Sequence, residues 1–288
     1  MLIVHHNDLD GYCAGFWAYH NARRKGDVPK LFEFDYGVEF PFNMIQPHES
    51  VWILDCSIST KDMVELFKIT ENVVWIDHHK TSIERYKDFP FAIPGIRYIG
   101  LAGCELTYLF IHNDIDGEIN SEVLKKIPMF TRLIGDRDTW RKEFGYDSDL
   151  FTLALLGFDT NPTSEIWTRL YLDNSDMVSY LIDRGKTLRA FTEKRAERYL
   201  KSYGHELTLD GYQCYAINKG SMASDDFQSL DSKIHPYDIY VGYVYTGKIW
   251  QVSLRSATVD VSEIAKKRGG GGHKGAARFD CKVLPWMK

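Results

Sequence analysis

The stretch Leu2-Ile3-Val4-His5-His6-Asn7-Asp8-Leu9-Asp10-Gly11 decides how this chain folds. A short apolar run, Leu2–His5, ends in polar residues and predicts a buried strand. From Gly11 to about Arg24 the pattern turns helical, with Ala14, Trp17 and Ala18 on one side. Gly11 lets the backbone turn tightly between the two. The same grammar recurs downstream. Leu31–Asp35, Val51–Asp55 and Val73–Asp77 are apolar runs that end in Asp, and Lys61–Ile69 reads as a helix. Strands alternating with helices predict an α/β fold, a parallel sheet with helices on both faces. Such sheets bind ligands beyond the carboxyl ends of their strands. Here three strands deliver acids to that edge, although Asp is a poor strand residue and costly to bury.

Farther along, Leu101–Gly135 predicts two helices joined by the polar turn Asn113–Asn120. Met177–Tyr203 is a long charged helical segment that reads as a connector. After Gly204 the pattern changes to strands at Glu206–Leu209, Gln213–Ile217, Ile239–Tyr245 and Ile249–Leu254, with turns at Asp210-Gly211 and Thr246-Gly247. A short helix, Val261–Lys267, precedes the run Gly269-Gly270-Gly271-Gly272-His273. The expected division is a catalytic domain over 1–175, a helical connector over 176–204 and a smaller α/β domain over 205–288.

With 288 residues, 44% hydrophobic, the chain can bury a substantial core. A net charge of −5 argues against long duplex nucleic acid as a partner and leaves small nucleotide ligands open. Five scattered cysteines without a C-x-x-C pair read as free thiols in a reducing compartment. No apolar run reaches the length of a membrane span, and the start lacks signal-peptide features, so the expectation is a cytoplasmic protein without a membrane partner.

Five motifs carry the chemistry. Asp8 and Asp10, two apart beyond a strand, can each address a different cation; carboxylates suit Mg²⁺ and Mn²⁺, and imidazole adds preference for Mn²⁺. The plain alternative is a polar turn with Asp10 as a helix cap. Asp55 at a strand end is weak by itself, because turns also use Asp there. Asp77-His78-His79 after an apolar strand is harder to explain structurally, since adjacent histidines point in different directions and can serve a metal and a substrate separately. Gly135-Asp136-Arg137-Asp138 ends an apolar helix, where one Asp completes a metal shell or both make local ion pairs. The last is Gly269–Ala277, whose glycines form either an anion-binding nest or a flexible linker.

In this order the motifs resemble the DHH phosphoesterase superfamily, in the subgroup with a DHH-associated C-terminal domain. Asp8-Leu9-Asp10-Gly11 looks like its first motif, Asp55 its second, Asp77-His78-His79 its third and Asp136 its fourth. Val252–Ser256 with Gly269–Ala277 looks like the C-terminal substrate-binding signature. The resemblance implies a parallel-sheet catalytic lobe, a smaller lobe that closes over it, and two Mn²⁺ ions, with Mg²⁺ as the other candidate. It implies one ion on an N-terminal histidine, Asp8, Asp55 and Asp77, and the other on Asp10, Asp55, His78 and Asp136. Asp55 bridges them. His6 is preferred over His5 as the histidine, and both are kept. Asp136 is preferred over Asp138 because family members place this Asp four residues before an aromatic, here Trp140; Asp138 is then assigned to substrate. His79 faces the phosphate as donor or acid. Arg255, Gly270, Gly271, Gly272, His273 and Lys274 grip a distal phosphate. The family's closing glycine after the two alanines is Arg278 here.

The implied activity is two-metal hydrolysis of short RNA or DNA oligonucleotides or dinucleotides to mononucleotides. The alternatives are a phosphatase on adenosine 3′,5′-bisphosphate or on poly- or pyrophosphate, and a non-catalytic nucleotide sensor. Phe16, Tyr36 and Trp140 are candidates to stack on a base. A homodimer is compatible with this reading.

Overall fold

In the computed structural model, residues 1–112, 119–220 and 237–287 are described. The opening stretch forms strand β1 (Leu2–His6) and helix α1 (Leu9–Arg24). β2 (Lys30–Phe34), β3 (Val51–Leu54) and β4 (Val73–Ile76) complete a sheet in the order β2-β1-β3-β4, with every pair parallel. Its strands are apolar at consecutive positions because both faces are covered. Ile3, Leu54 and Ile76 pack on one side with α1 and the helices downstream. Leu2, Val4, Ile53 and Trp75 pack on the other, against Met63 and Leu66 of α2 (Thr60–Ile69). The register aligns His5, Leu54 and Ile76 in one row, so His6, Asp55 and Asp77 leave the sheet side by side.

Past β4 come α3 (Lys80–Arg85) and α4 (Gly103–His112). Where two helices are expected over Leu101–Gly135, the described residues hold three: α4, α5 (Ser121–Lys126) and α6 (Met129–Asp138). Pro128 separates the last two, because a residue before proline, here Ile127, is driven to extended backbone. Positions 113–118 of the expected turn lie outside the described residues. Two further helices, α7 (Asp147–Leu155) and α8 (Glu165–Leu172), occupy a stretch for which the sequence predicts no element.

The predicted connector is one helix, α9 (Asn174–Tyr203). The chain divides within it into two compact units, Met1–Leu188 and Arg189–Lys288. Met177, Val178 and Leu181 belong to the first core; Leu200 packs with Ile217 and Tyr240 of the second unit.

The second unit holds β5 (His205–Leu209), β6 (Tyr212–Asn218), β7 (Ile239–Tyr245), β8 (Trp250–Arg255), β9 (Gly271–His273) and β10 (Ala276–Cys281), in the order β5-β6-β7-β8-β10-β9. Helix α10 (Val261–Lys266) covers one face through Val261, Ile264 and Ala265, packed with Leu254, Ala277 and Phe279. The glycine run is therefore not only a loop. Its second half is a strand paired antiparallel to β10. A Cβ at Gly270 would come within 2.1 Å of the Arg278 carbonyl oxygen, and one at Gly272 within 2.5 Å of that of Ala276. The glycines admit the chain's own backbone at these two positions.

Among the described residues, no helix is long and apolar enough to cross a membrane.

Candidate metal centre

The centre is built at the carboxyl edge of the first sheet. Successive strand residues point to opposite faces, and this separates the two histidines of β1. His6 turns toward Asp8, with Nδ1 2.7 Å from Oδ2. His5 is buried beside Tyr12, its Nδ1 on the His6 carbonyl, and burial pushes its imidazole pKa down. His5 thus lies outside the cluster, and His6 is the histidine within it.

Asp8 caps α1 by accepting the Gly11 amide at 2.9 Å. A Cβ at Gly11 would fall 2.3 Å from the His6 carbonyl oxygen, so only glycine permits this tight departure. Burial raises the Asp8 carboxyl, but hydrogen bonds from His6 and the Gly11 amide carry it below the usual range. Asp10 is buried and held by both oxygens: the amides of Gly103 and Cys104, at the start of α4, each donate at 2.7 Å. A helix N-terminus favours such a negative group.

Asp55 sits directly after β3 with φ +58°, a conformation uncommon for a residue with a side chain. It is 1% exposed, and its Oδ1 has no hydrogen-bond donor. That oxygen is 3.2 Å from His78 Nε2, and Oδ2 is 3.9 Å from His6 Nδ1. Gly103 makes room for it, since a Cβ there would sit 2.5 Å from the Asp55 Cβ. His78 Nε2 also lies 3.7 Å from Asp10 and 3.4 Å from Asp138. The rings of His78 and His79 are tilted by 52°, so the adjacent imidazoles do aim differently. Asp77 accepts from the backbone amide of His79 at 3.1 Å and meets its Nδ1 at 2.7 Å. Asp77 thus orients His79 and belongs to none of the ligand groups below.

Three sets of side chains converge closely enough to hold an ion: His6, Asp8 and Asp55; Asp10, His78 and Asp138; and Asp55, His78 and His79. Within each set the ligand atoms lie within 4.8 Å of one another. Asp138 stands where Asp136 was expected. Two residues apart on a helix are separated by about 200° of rotation, so the two carboxylates face opposite ways. Asp136 accepts from the amides of Glu143, at 2.7 Å, and Phe144, and from the Ser148 hydroxyl, tying α6 to the start of α7.

Gathering carboxylates raises their proton affinity. Burial and then the charges of Asp10, Asp8 and Asp138 push the Asp55 carboxyl well up. Burial, Asp10 and Asp8 push that of Asp138 up to about 7. Hydrogen bonds to Asp8 and Asp77 raise His6 and His79 respectively, whereas burial lowers His78.

Four neighbours of the cluster are absent from the residues assigned from sequence, although Asp35 is placed at the edge as the end of an apolar run. Asp35 brings Oδ1 to 3.9 Å from His6 Nε2; its position at the end of an apolar run was the available signal. Gly103 and the Glu105–Arg141 pair carried no local signal at all. Of the stacking candidates, Phe16 is core, stacked on Trp167. Tyr36, 6.0 Å from the His6 ring, and Trp140 are both exposed by more than half.

In the second unit, Arg255 pairs with Tyr240 on one side and Ala276 on the other, and Ala276 pairs with His273. Arg255 and His273 therefore share the sheet face opposite α10, as does Arg278 one pleat along. Gly271 has open space around its would-be Cβ, and Lys274 follows β9 in the turn to β10, its carbonyl accepting the Val261 amide.

Residues 1–130 match the DHH family, N-terminal domain. The oligoribonuclease NrnB of Bacillus subtilis (strain 168) is 25% identical, over 94% of this chain and 70% of that protein. The uncharacterized protein R106 of Acanthamoeba polyphaga mimivirus is also 25% identical, over 96% of this chain and 66% of its own length. A solved DHH domain from a member of the s1p family of ribosomal proteins shares the fold, with a TM-score of 0.51 at 14% identity over 97% of this chain and 82% of that one. Over residues 1–130 the chain is thus similar to the N-terminal domain of the DHH family, and the two relatives extend a weaker likeness along nearly all of the chain.

Proposed function

We propose that this chain is a two-metal phosphodiesterase of the cytoplasm that hydrolyses short oligonucleotides or dinucleotides to mononucleotides. One observation carries the reading: Asp55 is a buried carboxylate with one oxygen that accepts no hydrogen bond, grouped with His6 and Asp8 and with His78 and His79, and feeling the charges of Asp10 and Asp138. A buried charge without compensation is expensive. Hard oxygen donors mixed with two imidazoles suit Mn²⁺, and Mg²⁺ by its oxygens. The donor set therefore fits a pair of divalent cations. His6, Asp8 and Asp55 would hold one, and Asp10, His78 and Asp138 the other, with Asp55 shared.

When bound, such ions lower the pKa of water toward neutrality and offset charge on phosphoryl oxygens. The chain supplies the rest. The amides at the start of α4 lock Asp10, and the turn at Asp55 fixes the shared carboxylate, so little reorganisation accompanies reaction. His79 is held by Asp77, which favours its protonated form. It donates a hydrogen bond to the phosphate and a proton to the leaving oxygen. In the second unit, Arg255, His273 and Gly271 offer a phosphate-binding group, with Lys274 adding positive charge.

The similarity to an oligoribonuclease supports RNA as the substrate class. The test is a panel with Mn²⁺: dinucleotides, longer 5′-labelled RNA and DNA, adenosine 3′,5′-bisphosphate, cyclic dinucleotides and pyrophosphate. Mononucleotide release, fastest from the shortest RNAs, is expected. Exclusive release of inorganic phosphate from the bisphosphate or pyrophosphate would replace this reading with a phosphatase.

A further inference from the structure

Glu105 and Arg141 belong to none of the ligand groups, yet they tie together the two segments that carry one of them. Glu105, in the first turn of α4, is 1% exposed and accepts the Ala102 amide at 2.9 Å. Its carboxylate meets the Arg141 guanidinium as a fork, Nη1 to Oε2 at 2.8 Å and Nη2 to Oε1 at 2.7 Å. Arg141 Nη1 also donates to the Gly100 carbonyl. The carboxylate fills a space that α6 leaves only because position 135 is glycine: a Cβ there would stand 2.4 Å from Oε2.

Each end of the pair lies close to one ligand. On one side, the Gly103 and Cys104 amides that grip Asp10 immediately precede Glu105. On the other, Arg141 follows Asp138 by three residues, across Trp140 with φ +56°. The Arg141 amide donates to the Asp136 carbonyl, which keeps this short return of the chain closed. Two parallel hydrogen bonds fix orientation as well as distance. The other group, His6, Asp8 and Asp55, takes no ligand from α4 or α6.

We infer that the Glu105–Arg141 fork is a positioning pair that sets Asp10 against Asp138 and thereby shapes the Asp10–His78–Asp138 cation site. The inference rests on the two-ion reading above. It assigns no chemistry to either residue: both act through the carboxylates they hold in place.

The experiment is Mn²⁺ titration by calorimetry on the full chain, comparing wild type with Glu105→Gln and Arg141→Lys, and with Asp8→Asn and Asp138→Asn as references for the two sites. Arg141→Lys keeps the charge but loses the fork. Wild type is expected to bind two ions. Both fork variants should weaken one ion by about tenfold to a hundredfold, matching the pattern of Asp138→Asn and leaving the ion sensitive to Asp8→Asn unchanged. The kcat should fall with that ion's occupancy and recover at high Mn²⁺. Two ions at wild-type affinity in Arg141→Lys, or equal weakening of both, overturns the positioning role alone. A lowered melting temperature with both affinities intact does the same. A wild-type chain that binds no Mn²⁺ removes the two-ion reading, and this inference with it.

Discussion

The two sheets of this chain present polar side chains in opposite ways. The first is wholly parallel and covered on both faces, so its polar groups concentrate at its carboxyl edge, where His6, Asp55 and Asp77 stand abreast. The second is mostly antiparallel and is covered by α10 on one face, so Arg255, His273 and Arg278 stand in the pleats of the other. An edge concentrates charge and buries it; a face spreads charge along its pleats. The contrast shows in the charged groups: the Asp138 carboxyl pKa is pushed up to about 7 by burial and neighbouring carboxylates in the first unit, while the Arg278 side chain in the second remains more than half exposed beside Asp280. The concentrated group suits an ion and the dispersed one suits a phosphate.

Substitutions can break this contrast or sharpen it. The largest effect is expected from Asp55→Ala, which removes the shared carboxylate: turnover should fall by about a thousandfold or more, with the circular dichroism spectrum unchanged. Activity retained by that variant would dissolve the edge as a catalytic feature. Next comes the pair Asp138→Asn and Asp136→Asn. The first should weaken Mn²⁺ by up to about a hundredfold with little change in melting temperature. The second should keep Mn²⁺ and lose stability, because two amides and a hydroxyl lose their charged acceptor. Arg255→Ala should act on the face alone, raising KM by about tenfold, the size of one charge-assisted hydrogen bond, at nearly constant kcat. The smallest effect is that of pH. Protons compete with the ion for Asp138, so Mn²⁺ affinity should drop about threefold between pH 7.5 and 6.5. The sign for the metal-free chain is the reverse. The folded-state pKa of Asp138 lies above its ordinary value of 3.8, so its contribution is fully stabilising below that value and is lost as pH rises to about 7. Chemical denaturation with chelator across that range checks it.

Much of the first unit is legible because its signals are local. Apolar runs ending in Asp state both the strand and the edge. Strand patterning does not separate His6 from His5, because Leu2, Ile3 and Val4 are all apolar and no alternation marks which face each residue takes; the preference for His6 comes with the family resemblance. Asp138 over Asp136 depends on the rotational phase of α6 at its last turn, fixed by packing with α4 and α7 rather than by neighbours in sequence. The glycine run misleads because its partner strand lies downstream, and only the pairing with β10 shows that Gly270 and Gly272 are spacers for backbone. Pro128 is a readable break that the apolar periodicity on either side obscures.

In the proposed function, six side chains at one sheet edge hold two cations, with Asp55 between them. Anomalous diffraction from crystals soaked in Mn²⁺ tests it directly. Two peaks are expected, one among His6, Asp8 and Asp55 and one among Asp10, His78 and Asp138, with Asp55 touching both. A single peak without Asp55, or a peak at Asp136, would contradict it.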